Sequence, residues 1–396
     1  MRLLVKWSNG TTVFAVLLGA CAPSLFDVAE PSDAGSDEAA VADLLSVDTA
    51  TLAIDATASP HGDEAQLFAE LQKAQAQVPA PGGAMAVRRA DGTFWSGAVG
   101  DIDIVLATKT SPDSRFRIWS ISKTMTAAIA LQLVDEGKLA LDDPLSRWFP
   151  QFPKSAQIKL RQLLSHTSGI PDYFTDPAVV AAWADFWTPA QMIAVAARLP
   201  RLSEPGVAWN YSNTNYVLLG RVIEMTTGNS LSHELHTRLF SPLGLHNTFI
   251  WGEDQVAPAR GYETNGQGGF VDVLEKVHPS VVWATGQIVS TAEDLRAWCS
   301  ALIEGKVLSD SMRQAMVQPA PLSSGATVNW GLGVAITPTQ WGPLIGHGGG
   351  PLHGNSGTMA YLPSKKLLVV TLVNGSSDNA LSVVGAAGWK TLIEEQ

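Results

Sequence analysis

The chain has 396 residues and is 46% hydrophobic, enough for one large or two intimate domains with a sizeable core. Its net charge of −11 is local: residues 22–72 hold 11 Asp and Glu and no Lys or Arg, while 73–396 hold 24 basic against 26 acidic side chains. The acidity therefore describes a tail rather than the whole surface, and no basic patch or reading motif points to nucleic acid.

In chain order, Arg2 and Lys6 precede an apolar run, Val13 to Ala20, that ends at Cys21. It is too short to span a bilayer and reads as a secretory signal. Leu18-Gly19-Ala20-Cys21 resembles a bacterial lipobox, so residues 1–21 are expected to be a signal peptide and Cys21 the lipidation site. The expected location is thus the bacterial envelope, as a membrane-anchored lipoprotein, and Ala22 favours the outer membrane where there are two. If Cys21 carries lipid, Cys299 has no cysteine partner in the chain and reads as a buried thiol in a helical pattern. Residues 22–65, rich in Ala, Asp, Ser and Pro, are expected to be an acidic disordered linker. The catalytic domain is expected over 66–396.

A helix is predicted over Gln66 to Gln77. Ala84 to Val87 and Thr93 to Ser96 flank Ala90-Asp91-Gly92 as a hairpin. Arg115 to Trp119 is extended and runs into Ser120-Ile121-Ser122-Lys123, which opens a helical pattern closed by Gly137. That places Ser120 at a helix N-terminus and Lys123 one turn on, on the same face. Free N–H groups of the first turn can face an oxyanion, and the dipole disfavours a charged Lys123. An amine so placed can serve a hydroxyl as its base. Taken alone, the tetrad is more simply an N-cap serine and a solvated lysine.

Glu204-Pro205-Gly206 signals a turn, after which Tyr211-Ser212-Asn213 lies on a loop leading into the helical pattern of Tyr216 to Glu224. A tyrosine is a poor base unless a neighbour such as Lys123 stabilises its phenolate. Asn213 carries both a donor and an acceptor for a substrate amide. A satisfied core tyrosine and a capping asparagine are the plainer alternative. Near the end, Trp341 to Gly350 reads as a strand closing on His347-Gly348-Gly349-Gly350, where glycines admit close backbone approach. His347 is expected to place a modest positive charge beside the hydroxyls. His353 is its rival. Thr358 to Leu362 and Leu367 to Val373 form a second hairpin, and Asn379 to Glu394 a final helix. No cluster supports a metal at His233 and His236, and no Gly-x-Ser-x-Gly elbow is present.

Taken together, the three motifs resemble the serine β-lactamase and penicillin-binding group, closest to class C β-lactamases, low-mass D-alanyl-D-alanine carboxypeptidases and related esterases. Leu139 to Pro144, Leu163-Leu164-Ser165-His166-Thr167-Ser168-Gly169-Ile170-Pro171 and Ala284 to Leu295 extend the resemblance. It implies an α+β fold, an antiparallel sheet flanked by terminal helices with a mostly helical insertion. It also implies Ser120 as nucleophile, Lys123 and Tyr211 as proton-transfer pair, Asn213 as amide orienter, and His347 and Gly349 as substrate-binding residues. The backbone N–H groups of Ser120 and Gly350 would form the oxyanion hole. No cofactor or metal is implied. The expected partners are a small peptide, ester or β-lactam substrate, the cell wall, and a membrane through Cys21. A D-alanyl-D-alanine carboxypeptidase is the leading expectation, with an esterase or β-lactamase next and a non-catalytic penicillin- or wall-binding sensor last. One departure stands out. The third motif is His-Gly-Gly where many members have Lys-Thr-Gly, which weakens recognition of a substrate carboxylate unless Arg260 or Arg296 supplies the charge.

Overall fold

A computed structural model describes residues 64–376, 388–389 and 391–393. The signal peptide, Cys21 and residues 22–63 of the expected linker lie outside the described residues. So does most of the expected final helix, of which 388–389 and 391–393 are helical. No described helix is long and apolar enough to cross a membrane.

Helix α1 (Glu64–Gln75) precedes the strands β1 (Gly82–Arg88), β2 (Phe94–Asp103) and β3 (Thr108–Lys109). After a long helical region come β4 (Ala335–Thr339), β5 (Gly342–Leu352), β6 (Asn355–Leu362) and β7 (Leu367–Val373). All seven join one antiparallel sheet in the order β4-β5-β6-β7-β1-β2-β3. The second half of the chain thus closes onto the first through β7 and β1.

Side chains alternate between the faces of a strand, so each strand feeds two cores. On the outer face, Met85, Val87, Val369 and Val373 pack with Leu67 and Leu71 of α1 and with Trp389 and Leu392. On the inner face, Ala84, Ala86, Leu368, Val370 and Leu372 pack against the helical region. Both faces being covered, β7 is an unbroken buried run.

The centre of the helical region is α2 (Ser122–Asp135), buried without a break from Ser122 to Leu131, its Ser122, Lys123, Thr124 and Thr126 included. Gly137, at φ +68°, closes it, its N–H donating to the Val134 carbonyl. Helix α3 (Asn213–Thr227) packs across α2, and α4 (Ala292–Ile303), capped by Thr291, packs on β1 and β7 and buries Cys299.

A small sheet of Phe116–Arg117, Ile288–Ser290 and Phe249–Ile250 delivers the chain to α2. At its exit Trp119 takes φ +46°, a left-handed backbone disfavoured for a residue with a Cβ. Its indole Nε1 donates to the Asn355 carbonyl at 2.9 Å, and the Arg117 guanidinium lies 4.8 Å from its ring. Strand β5 crosses directly over this segment: a Cβ on Gly349 would lie 2.0 Å from the Ile118 carbonyl oxygen. Gly349→Ala should therefore push β5 off the nucleophile segment. A shift of about 1 Å there predicts a loss of roughly 100-fold in kcat/KM, read by steady-state kinetics on protein shown by circular dichroism to be folded.

Candidate active site

Ser120 sits in a single 3-10 turn, Trp119–Ile121, that leads into α2. Its Oγ accepts two hydrogen bonds, from Lys123 Nζ at 2.8 Å and from the Tyr211 hydroxyl at 2.9 Å. Lys123 is fully buried and also donates to the Thr285 carbonyl at 2.9 Å. The helical spacing of Ser120 and Lys123 explains the first contact, and the loop before α3 brings Tyr211 across from 91 residues away. A hydroxyl between an amine and a phenol has two routes for its proton, which suits it to nucleophilic attack.

Asn213 is the first residue of α3. Its Nδ2 and its backbone N–H both donate to Asp172 Oδ2, at 2.7 and 3.1 Å. Asp172 Oδ1 accepts from the Phe174 N–H at 3.1 Å. Donation through Nδ2 leaves the Asn213 carbonyl oxygen as an acceptor for a ligand N–H. Burial pushes the Asp172 carboxyl above its usual range, opposed by the donors from Asn213 and Phe174.

The third motif lies on β5, and one expectation about it needs correction. His347 is buried and neutral rather than positively charged. Burial, and then the charge of Lys123, push its imidazole down to about 3. Its Nδ1 lies 2.6 Å from the Gly348 carbonyl oxygen, so Nδ1 carries the proton and Nε2 is a bare acceptor. Nε2 is buried with no hydrogen-bond partner among the described residues. The ring lies near Tyr211, with centroids 6.5 Å apart. His353, the rival, instead pairs with Glu263 at 3.2 Å in the turn after β5. Gly349 lies over the nucleophile segment, and the β5–β6 ladder loses register after it. Gly350, next along, has φ +89° and would bring a Cβ to 2.6 Å from the Asn355 carbonyl oxygen. Only glycine fits there, one residue beyond the crossing over Ile118 and Trp119.

The arginines considered as carboxylate binders are engaged elsewhere. Arg260 pairs with Asp103 and Asp272, and Arg296 with Glu293. Lys123 is the cation whose charge bears on Asp172, His166 and His347 alike.

The sequence model of the family described as Beta-lactamase matches residues 65–388. The chain belongs to the β-lactamase family. A penicillin-binding protein of Bacillus subtilis is 29% identical over 276 residues, covering 65% of this chain and 60% of that protein. A D-aminopeptidase of Brucella canis is 26% identical over 314 residues, covering 78% of this chain and 59% of that protein. The chain thus spans about 60% of the length of these two relatives. Among solved structures, a D-stereospecific amidohydrolase from a Streptomyces species is 31% identical with a TM-score of 0.69, covering 84% of this chain and 98% of that one. A D-amino acid amidase of Ochrobactrum anthropi, complexed with D-phenylalanine, is 26% identical with a TM-score of 0.76, covering 85% and 100%. The fold is that of the β-lactamases and transpeptidases, and the Ser120, Lys123 and Tyr211 cluster is equipment suited to a serine hydrolase.

Several site groups had no role assigned from the sequence. Asp172, His166 and the Thr285 carbonyl all fall in or beside segments that resemble β-lactamase-family proteins. Their contacts cross 41, 46 and 162 residues, and no local pattern signals them. Trp330 is another: buried, it stands edge-on to His347 with centroids 5.2 Å apart. Trp119 belongs to the core and does not line an open cleft, whereas Trp209 packs on His166 and Trp330 beside Tyr211.

The two buried imidazoles tie stability to pH. His166 is held well below its usual range, by burial first and then by Lys123 and His347. In the unfolded chain each imidazole takes up a proton near about 6.5. The folded His347 does so only near about 3. Between these values the unfolded state binds more protons, so this contribution is complete above about 6.5 and is lost as pH falls toward 3. Urea midpoints should drop from pH 7 to pH 4, and His347→Gln should show a shallower drop than the parent. Equal slopes would contradict the buried neutral state.

Proposed function

We propose that the chain is a serine hydrolase that cleaves amides and small peptides of D-amino acids through an acyl-enzyme on Ser120, reading a free amino group on the acyl side. The observation that carries this is the charge pattern around the nucleophile. The His347 position, where a lysine would meet a substrate carboxylate, holds a neutral imidazole. On the other side, the Asp172 carboxyl is bound to Asn213, whose carbonyl oxygen is set to accept. An ammonium finds partners there, and a carboxylate beside the scissile bond does not. Relatives named D-aminopeptidase, D-amino acid amidase and D-stereospecific amidohydrolase support the same substrate class.

In this reading the reactive form of the Lys123–Tyr211 pair has lost one proton, leaving either a Tyr211 phenolate beside the Lys123 ammonium or a neutral Lys123 amine; Ser120 Oγ adds to the substrate carbonyl carbon and passes its proton to that base. The N–H groups of Ser120 and Gly350 face the developing oxyanion. The carbon–nitrogen bond then breaks, and the pair returns the proton to the leaving amine. Water adds to the acyl-enzyme, the bond to Oγ breaks, Oγ regains a proton and the free acid departs. Asn213 orients the acyl side throughout. The leading sequence-based expectation, a D-alanyl-D-alanine carboxypeptidase, is the second reading, favoured by relatives named penicillin-binding proteins. A lipid anchor at Cys21 belongs to either reading and would hold the enzyme beside D-amino acid peptides of the wall.

The test compares D-phenylalanine amide, its L-isomer, its N-acetyl derivative and a D-alanyl-D-alanine peptide. The D-amide with a free amine should be preferred over each of the others by about tenfold or more in kcat/KM, a difference of about 1.4 kcal/mol. Ser120→Ala should lower every rate by about 10⁴-fold or more. Preference for the D-alanyl-D-alanine peptide would replace this reading with the carboxypeptidase.

A further inference from the structure

His166 grips Tyr211 from three directions. Its carbonyl accepts from the Asn210 N–H at 2.9 Å, and its Nδ1 accepts from the Ser212 N–H at 3.2 Å, so both chain neighbours of Tyr211 are tied to one residue. Its ring lies against the Tyr211 ring, with centroids 4.3 Å apart and planes 30° from parallel. His166 is fully buried and holds φ +58°, a left-handed backbone uncommon for a residue with a Cβ.

The orientation of the imidazole is also determined. Ser168 Oγ donates to Asn215 Oδ1 at 2.6 Å, which turns the Asn215 amide nitrogen toward His166 Nδ1, 3.2 Å away. Nδ1 therefore accepts, and Nε2 carries the proton. Nε2 is buried without a hydrogen-bond partner among the described residues, and the ring is enclosed by Trp209, Tyr216 and Trp330. A left-handed backbone and an unpaired buried N–H are costly features, and both serve to hold one ring against Tyr211.

We infer that His166 is a positioning residue for the proton-transfer step, holding the Tyr211 hydroxyl on Ser120 Oγ by clamping the backbone on both sides of Tyr211 and stacking on its ring. This rests on the reading that Tyr211 exchanges a proton with Ser120. His166 touches neither Ser120 nor the reacting carbonyl in this role; it acts through Tyr211.

Two variants separate clamp from stack. His166→Asn tolerates the left-handed backbone and offers an oxygen in place of Nδ1, without the ring. His166→Phe keeps a ring without the acceptor. Each is made in the parent and in a Tyr211→Phe background, checked by thermal melts, and assayed on the p-nitrophenyl ester of D-phenylalanine. In the parent background each should lower kcat by about ten- to a hundredfold with KM within about threefold. In the Tyr211→Phe background the same changes should cost less than about twofold, because the group they position is gone. Equal losses in both backgrounds, or a change confined to KM, would overturn the inference. If Tyr211→Phe alone leaves kcat within about threefold, the proton-transfer reading of Tyr211 fails, and the inference built on it falls with it.

Discussion

The arrangement depends on the left-handed backbone of Trp119. A non-glycine residue in that region costs about 1–3 kcal/mol and persists only where its surroundings hold it. Here Asn355 of β6 takes the indole N–H, and its Oδ1 accepts from the Arg117 backbone and guanidinium at 3.2 and 3.1 Å. Arg117 stacks on the ring, Trp251 meets it edge-on, and Gly349 lets β5 lie against Ile118. The sharp turn so produced places Ser120 in the first turn before α2, with the β5 glycines alongside. The sheet and the central helix are thereby joined at the residue before the nucleophile.

The electrostatics follow from burial. Lys123 and Tyr211 both reach Ser120 Oγ in a site whose other ionisable neighbours are kept neutral or neutralised by donors. His347 and His166 are too deeply buried beside Lys123 to take up a proton near pH 7. Lys123 is the cation whose charge bears on both imidazoles, and the Asp172 carboxyl, pushed up by burial, is held by donors from Asn213 and Phe174. This separates the site from one built to capture a carboxylate beside the scissile bond. The same architecture serves either chemistry, and the charge at one strand position shifts the preference.

Much of this was legible in the chain. The Ser120–Lys123 spacing, the Tyr211 loop ahead of α3, the glycine-bearing β5, which runs two residues past Gly350, and the β6–β7 hairpin are local patterns, and local patterns survive translation into structure. The turn at Pro363–Lys365, with Lys366 at φ +53°, lies where the second hairpin was expected. Helix α1 runs Glu64–Gln75, two residues ahead of the expected span. Strand β2 extends to Asp103, past the expected Ser96, because Gly97 and Gly100 obscure its alternation yet pair with Met85 and Gly82 of β1. What could not be read is tertiary. The charge state of His347 depends on burial, and the roles of Asp172 and His166 depend on contacts across 41 and 46 residues. A pattern of residue types announces a histidine without saying whether water can reach it.

The most direct test of the account is covalent. The protein is mixed with the p-nitrophenyl ester of D-phenylalanine, quenched in acid within the first turnovers, digested and analysed by mass spectrometry. The account predicts the D-phenylalanyl mass on the peptide carrying Ser120 and its absence from Ser120→Ala. Acyl mass on another residue, or turnover by the parent with no covalent species on Ser120 at any quench time, would contradict it.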